Sequence, residues 1–340
     1  MSAVDAAPAS GEPDTASRLV SVLVVARDEP RDRLARLLAA LDAQQGPVHL
    51  EVLLAVPPEE HSALAGLDAH VGDGMVSSVR LVSNPGGARC TGLNHALSLA
   101  RGDVVARADA RSMPSRDYVA RAVARLDTAP DVGVVGGVQR PVCVADGVAA
   151  RGIARALRNP WLLGGAVYRR PGGGGNADTA YLGVFRTAEL RALGGWDERL
   201  AANEDFDLCA RFRAAGASVW VEPGLEVPYE PRASHRELWR QYHAFGVAKA
   251  RYWRIAGAGP NQRQVAALAG AAAALGVSAL VARQPRRGMA LGVGALALLA
   301  AADHVVDPEE RDVRVRAAAY GAYATYLGAW VAGVARGLVR

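Results

Sequence analysis

Three carboxylates, Glu204, Asp205 and Asp207, fall within four residues in the stretch Asn-Glu-Asp-Phe-Asp-Leu-Cys-Ala-Arg-Phe-Arg over 203–213. They follow a Gly-Gly-Trp-Asp-Glu turn from Gly194 to Glu198 that carries Trp196. Carboxylates this close repel one another unless solvent, a cation or a substrate hydroxyl intervenes. Crowding raises a carboxyl pKa, and a raised carboxylate can take a proton from a hydroxyl near neutral pH. The same residues also suit a helix start, where acidic side chains cap free N–H groups and complement the dipole. A second polar point is Asp109-Ala110-Arg111, which ends a run beginning Arg101-Gly102-Asp103-Val104-Val105. An aspartate at a strand end can hold a ribose or a divalent cation that bridges a diphosphate. It is also a common structural residue there.

The elements that would position these groups alternate in type. Leu19 to Ala26 is a continuous apolar, β-branched run, the pattern of a strand buried on both faces of a parallel sheet. The pattern predicts a helix over Asp32 to Gln45, ended by Gly46-Pro47, and strands over His49 to Val56 and Val79 to Val82. A helix over Ala88 to Ala100, a strand over Gly102 to Ala108, a helix over Tyr118 to Asp127 and a strand over Val132 to Val138 follow. This alternation predicts right-handed βαβ units and a doubly wound, mostly parallel α/β sheet. Ligands of such sheets bind at the carboxyl ends of the strands, which here hold Arg27-Asp28-Glu29, Val56-Pro57 and Asp109-Ala110-Arg111. Pro171 to Gly175 has no phosphate-loop pattern around it and reads as a flap or linker.

The 340 residues carry a net charge of +5, with Lys249 the single lysine. Arginine and alanine enrichment of this kind reflects GC-rich coding, and no basic run interleaved with aromatics points to nucleic acid. Cys90, Cys143 and Cys209 lack metal-type spacing and fit core positions in a reducing compartment. Residues 1–17 read as a disordered tail without the apolar segment of a signal peptide. Beyond residue 256 the composition becomes apolar, and about 264–282, 288–306 and 317–335 are expected to form membrane-anchoring helices. The Arg283 to Arg287 turn between the first two would then lie outside, against the positive-inside tendency. A re-entrant first hairpin removes that conflict.

Four stretches occur in order: VSVLVVARDEP (Val20–Pro30), NPGGARCTGLNHALSLARGDVVARADAR (Asn84–Arg111), YLGVFRTAELRALGGWDERLAANEDFDLCARFRAAG (Tyr181–Gly216) and PYEPRASHRELWRQYHAFGVAKARYW (Pro228–Trp253). Together they resemble the inverting glycosyltransferase family 2 with its GT-A fold, and within it the succinoglycan-biosynthesis ExoA-like branch. The resemblance covers about 18–255, and implies a catalytic domain there and a membrane anchor over 256–340. It implies that Asp205 is the general base toward the acceptor hydroxyl, that Glu204 orients the acceptor, and that Asp207 supports the helix start or the acceptor region with Trp196. Asp109 matches the first Asp of the family's Asp-x-Asp element, near the nucleotide and a Mg²⁺ or Mn²⁺ ion. Arg27 and Glu29 match the loop near the nucleoside. Arg240 and Gln241, with Arg251 and Trp253, loosely match a region covering donor and acceptor.

Two positions depart from the family pattern. Val56-Pro57-Pro58 stands where an Asp usually contacts the base, and Arg111 replaces the second metal-binding residue. A guanidinium has no lone pair for a cation but can pair with a diphosphate, so Arg111 can replace the metal in part. His235 and His243 lie where a late metal ligand can occur, and read more simply as ordinary surface or packing residues. The resulting expectation is transfer of a sugar, with inversion, from a nucleotide diphospho-sugar to a membrane-held, polyprenyl-linked or glycan acceptor in polysaccharide or glycolipid synthesis. The catalytic domain would be cytoplasmic on a multi-pass inner-membrane protein. The rival readings are a non-catalytic, degenerate membrane subunit that supports a partner transferase, and a nucleotidyltransferase. The latter lacks its Gly-rich, basic signature after the first strand, and a dehydrogenase lacks its Gly-x-Gly-x-x-Gly.

Overall fold

A computed structural model describes residues 17–67, 71–159, 165–170, 172–306 and 310–339. Residues 1–16 of the expected tail, and Pro171 of the expected flap, lie outside the described residues. The chain runs β1 (Arg18–Val25), α1 (Arg31–Asp42), β2 (Val48–Val56), α2 (His61–Leu64), β3 (Val76–Ser83), α3 (Arg89–Leu99), β4 (Val104–Ala108), α4 (Tyr118–Thr128), β5 (Val132–Pro141) and α5 (Val148–Arg158). It continues through β6 (Gly175–Asn176), β7 (Tyr181–Arg186), α6 (Thr187–Ala192), α7 (Glu204–Ala214), β8 (Ser218–Tyr229) and α8 (His235–Ala256). Three helices follow: α9 (Gln262–Arg283), α10 (Pro285–Val306) and α11 (Val313–Val339).

The sheet has the strand order β3-β2-β1-β4-β7-β5-β8-β6. Strands β1 to β4 pair in parallel, β7 runs antiparallel between β4 and β5, and β5 pairs in parallel with β8. Side chains alternate across the pleat, and helices cover both faces. On one face Val20, Val22 and Val24 pack with Leu34, Leu37 and Leu38 of α1 and Ala122 and Leu126 of α4. On the other, Leu23 and Val105 pack with Leu93 and Ala96 of α3 and Leu208 and Phe212 of α7. The expected α/β sheet is therefore present, and the carboxyl ends of β1 and β4 lie side by side.

A third layer combines α5, α8 and α11. Tyr242 of α8 and Tyr323 of α11 are buried together with Ile153 and Leu157 of α5. Helices α8 and α11 approach closely because the contact is made by glycine: a Cβ at Gly333 would fall against the His243 carbonyl, and one at Gly246 against that of Trp330. The stretch 317–335, expected as a membrane-anchoring helix, packs along this side against protein. Its aromatic residues turn onto α8, where Tyr326 stands 4.3 Å (ring centroids) from Tyr242. Trp253 is likewise buried, with Leu200, Tyr252 and Val334, and does not line the cleft. His235 is a packing residue whose Nδ1 lies 2.9 Å from Thr325 Oγ1. Gly333→Leu is expected to lower the thermal midpoint in detergent by overpacking, at a cost of about 1–3 kcal/mol. Ala332→Leu, on the exposed face, is the control that should leave it unchanged.

Helices α9 and α10 form an antiparallel hairpin with exposed apolar sides. Among the described residues, α9 alone is long and apolar enough to cross a membrane. The outer ends of the hairpin are tied to the body. Arg263 pairs with Asp178, and Asp303 of α10 pairs with Arg155 of α5 at 2.7 Å, both side chains 2 % exposed. Tyr323 adds a hydroxyl to Asp303 at 3.4 Å. A 22-residue helix rises about 33 Å, so the basic Arg283–Arg287 turn lies at the far tip.

Candidate active site

The site begins with a charge inside the sheet. Arg107 sits in β4 with its side chain 3 % exposed, where an unpaired guanidinium would be prohibitive. It meets three carboxylates: Asp109 at 3.2 Å, Glu204 at 3.1 Å and Asp205 in a short contact. Arg89, the first residue of α3, holds Glu204 from the other side at 3.2 Å. Helix α7 delivers the acidic pair because Asn203 before it takes a left-handed conformation (φ 68), which asparagine tolerates, and turns the chain into the helix at Glu204. On β4, the Asp109 turn is fixed by Ser112, whose Oγ donates to the Asp109 carbonyl at 2.6 Å and accepts from its N–H at 3.2 Å.

The carboxylates of this cluster differ in proton affinity. Burial opposes ionisation of both Glu204 and Asp109, but Arg107 and Arg89 outweigh it and hold them below the ordinary carboxylate range. For Asp205, burial dominates. It pushes the group up to about 6, with Arg107 pulling down and Glu204 and Asp109 adding repulsion. One member of the cluster is thus poised near neutrality while its neighbours stay ionised.

A cavity of about 650 Å³ opens over this edge, lined among others by Arg27, Glu29, Arg107, Asp109, Arg111, Asp205 and Gln241. Gly87 closes one rim at φ +66, where a Cβ would collide with the Arg27 side chain. Arg111 lies in a second network, 3.3 Å from Glu29 and 4.0 Å from Glu230, with Arg33 bonded to both carboxylates. Three guanidiniums, Arg33, Arg111 and Arg232, thus face the two carboxylates Glu29 and Glu230, which leaves this edge net positive. Among the described residues, no three His, Cys, Asp or Glu side chains converge to hold a metal ion. Asp109, paired with Arg107 at 3.2 Å, would offer a cation a single carboxylate, so most of the ligands of such an ion would have to come from elsewhere.

Several expected site residues are placed elsewhere. Glu204 is 3 % exposed and reaches the cleft only through the arginines it holds. Asp207 bonds Arg211 Nε at 2.8 Å one turn along α7, which matches the helix-start reading. Trp196 is 1 % exposed and packs edge-on against Phe185 at 6.0 Å, so it belongs to the core. Arg240 is exposed and does not line the cavity. Arg107, Arg89 and Glu230 were not anticipated, although an arginine within the apolar run Val104–Ala108 is the mark of a buried charge that needs partners.

A mixed, mostly parallel sheet with an acidic helix start facing an Asp at the edge of β4 defines a GT-A-like α/β fold. The model of the family described as "Glycosyltransferase like family 2" matches residues 17–244, and the chain belongs to that family. The chain is 30 % identical over 201 residues to the succinoglycan biosynthesis protein ExoA of Rhizobium meliloti (strain 1021). That match covers 58 % of this chain and 60 % of the relative, so the chain spans about three-fifths of the relative's length. The expected resemblance to the ExoA-like branch is thereby borne out. Among solved structures it is similar to the mannosyltransferase PcManGT from Pyrobaculum calidifontis in complex with GDP-Man and Mn²⁺, with a TM-score of 0.64. The identity is 19 %, over 98 % of this chain and 90 % of that one, and the likeness is one of fold.

Proposed function

We propose that the protein transfers a sugar from a nucleotide diphospho-sugar, with inversion, to a membrane-held acceptor such as a polyprenyl-linked sugar. The observation that carries this reading is Asp205, a carboxylate pushed up to about 6 that lines the cleft beside Asp109. Its oxygen takes the proton of the acceptor hydroxyl as that hydroxyl's oxygen bonds to the anomeric carbon. The bond from that carbon to the diphosphate breaks on the opposite side, and the nucleoside diphosphate leaves with the electron pair. Arg107 and Glu204 position Asp205, and Arg27 and Glu29 line the nucleoside end. Asp109 would hold a Mg²⁺ or Mn²⁺ ion carried by the donor, which offsets the charge of the diphosphate; Arg111 shares that role with Arg232. The α9–α10 hairpin enters the cytoplasmic face of the cell membrane and keeps the cleft beside acceptors held there.

Transfer of labelled sugar from UDP-, GDP- and dTDP-sugars into a lipid-extractable product of membranes holding the protein tests the reading. Label appearing with the parent and not with Asp205→Asn supports it, and transfer untouched by that change refutes it. Equal incorporation with and without the protein would favour a supporting subunit. The rate should also follow the ionised fraction of Asp205. Because its pKa is raised, the base form is complete above about pH 7 and is half lost near 6. An acid limb of the pH–rate profile in the ordinary Asp range, near pH 4, would remove Asp205 as the base.

A further inference from the structure

The end of the cleft formed by α8 holds an arginine that differs in its partners from Arg107 and Arg111. Arg169 lies in the single turn Val167–Arg169 and lines the cavity together with Gln241, Tyr242 and Phe245. Its Nε donates to Tyr168 Oη at 3.1 Å, and its guanidinium carbon stands 5.4 Å from that ring's centroid. Tyr242 and Tyr326 complete a wall of phenols around it. Arg107 meets three carboxylates and Arg111 two, whereas among the described residues Arg169 has no carboxylate partner. A guanidinium shielded by aromatic rings and lacking an anion is an incomplete arrangement, and the missing partner is negative. Close by, Gln241 Oε1 is buried without a hydrogen-bond partner, an acceptor open to a hydroxyl.

We propose that Arg169 is the phosphate-recognising residue of the acceptor subsite, pairing with the phosphoryl oxygens while Gln241 accepts a hydroxyl of the sugar that follows. The assignment rests on the transferase reading. A phosphoryl group in this cleft has two sources, the donor's diphosphate and the acceptor. The donor's belongs to the edge held by Asp109 and Arg111. Arg169 faces α8, whose carboxyl end leads into the exposed apolar α9, the side from which a lipid-borne phosphate comes.

Equilibrium binding of farnesyl phosphate and of farnesol to the full chain in detergent tests this, with UDP, GDP or dTDP present in excess. The parent is expected to bind the phosphate at least about tenfold more tightly than the alcohol. Arg169→Gln should lower affinity for farnesyl phosphate roughly 10- to 100-fold and leave nucleotide affinity unchanged. Arg169→Lys keeps the charge without the planar fork and should lose several-fold. No preference for the phosphate in the parent overturns the proposal, whether or not the variants fold. Equal loss of nucleotide and farnesyl phosphate in either variant would assign Arg169 to the donor, and unchanged affinities in a folded variant would exclude it altogether. Binding is read without turnover, so failure here leaves the Asp205 test of the transferase standing.

Discussion

Asp205→Asn is expected to lower turnover by about 10²–10⁴-fold while the affinity for the nucleotide-sugar stays within about a factor of two. The carboxamide keeps the size of the side chain and an oxygen for the Arg107 guanidinium, so the cluster beneath it stays assembled. What it removes is the proton acceptor of the proposed reaction, and no neighbour replaces it. Glu204 is buried and, like Asp109, is held ionised by arginine, which makes both weak bases. The measurement is single-turnover transfer beside equilibrium binding of the donor. A loss confined to binding, with turnover intact, would contradict the assignment.

Arg107→Gln should have the largest effect on stability. It leaves Glu204 buried with Arg89 alone and Asp109 and Asp205 without their shared cation. Breaking a buried network by removing one partner costs about 3–5 kcal/mol. The pH dependence should change sign as well. In the parent, Asp109 and Glu204 titrate below their ordinary values, so their contribution is present above the unfolded pKa values and fades as pH falls through the folded ones. Without Arg107, burial raises the folded values above the unfolded ones, and protonation then favours the folded state. Urea midpoints should therefore be far below the parent's at pH 8 and approach them at pH 5. Equal midpoints for the two proteins at pH 8 would show that the network is dispensable.

The strands and the acidic helix start were legible because each depends on a local pattern. Val20–Val25 is apolar on both sides of the pleat because helices cover both sides, and the Asn203–Asp207 run sits where a helix must begin. Arg107 escaped because the run around it satisfied the strand pattern, although its charge contradicted that environment. Trp196 misled for the opposite reason: an aromatic ring beside acids suits a sugar, yet its neighbours in space are Phe185 and Leu97. The stretch 317–335 shows a limit of composition, since lipid and protein are both apolar surroundings. Gly321, Gly328 and Gly333 carried a local hint, as small residues let one helix lie on another.

The arrangement of the last three helices bears on how the protein can be shortened. Cutting the chain before α9 would seem to free a water-soluble catalytic unit, but it also strips α11 from α8 and α5 and leaves Tyr242, Leu157 and Ile153 bare. The natural excision is internal. Removing most of the hairpin while keeping the last turn of α10, whose Asp303 neutralises the buried Arg155, and joining the end of α8 to that turn through a flexible bridge, discards the apolar projection and preserves the packed helical layer. The apolar C-terminal region is thus two parts, one projecting from the body and one packed into it.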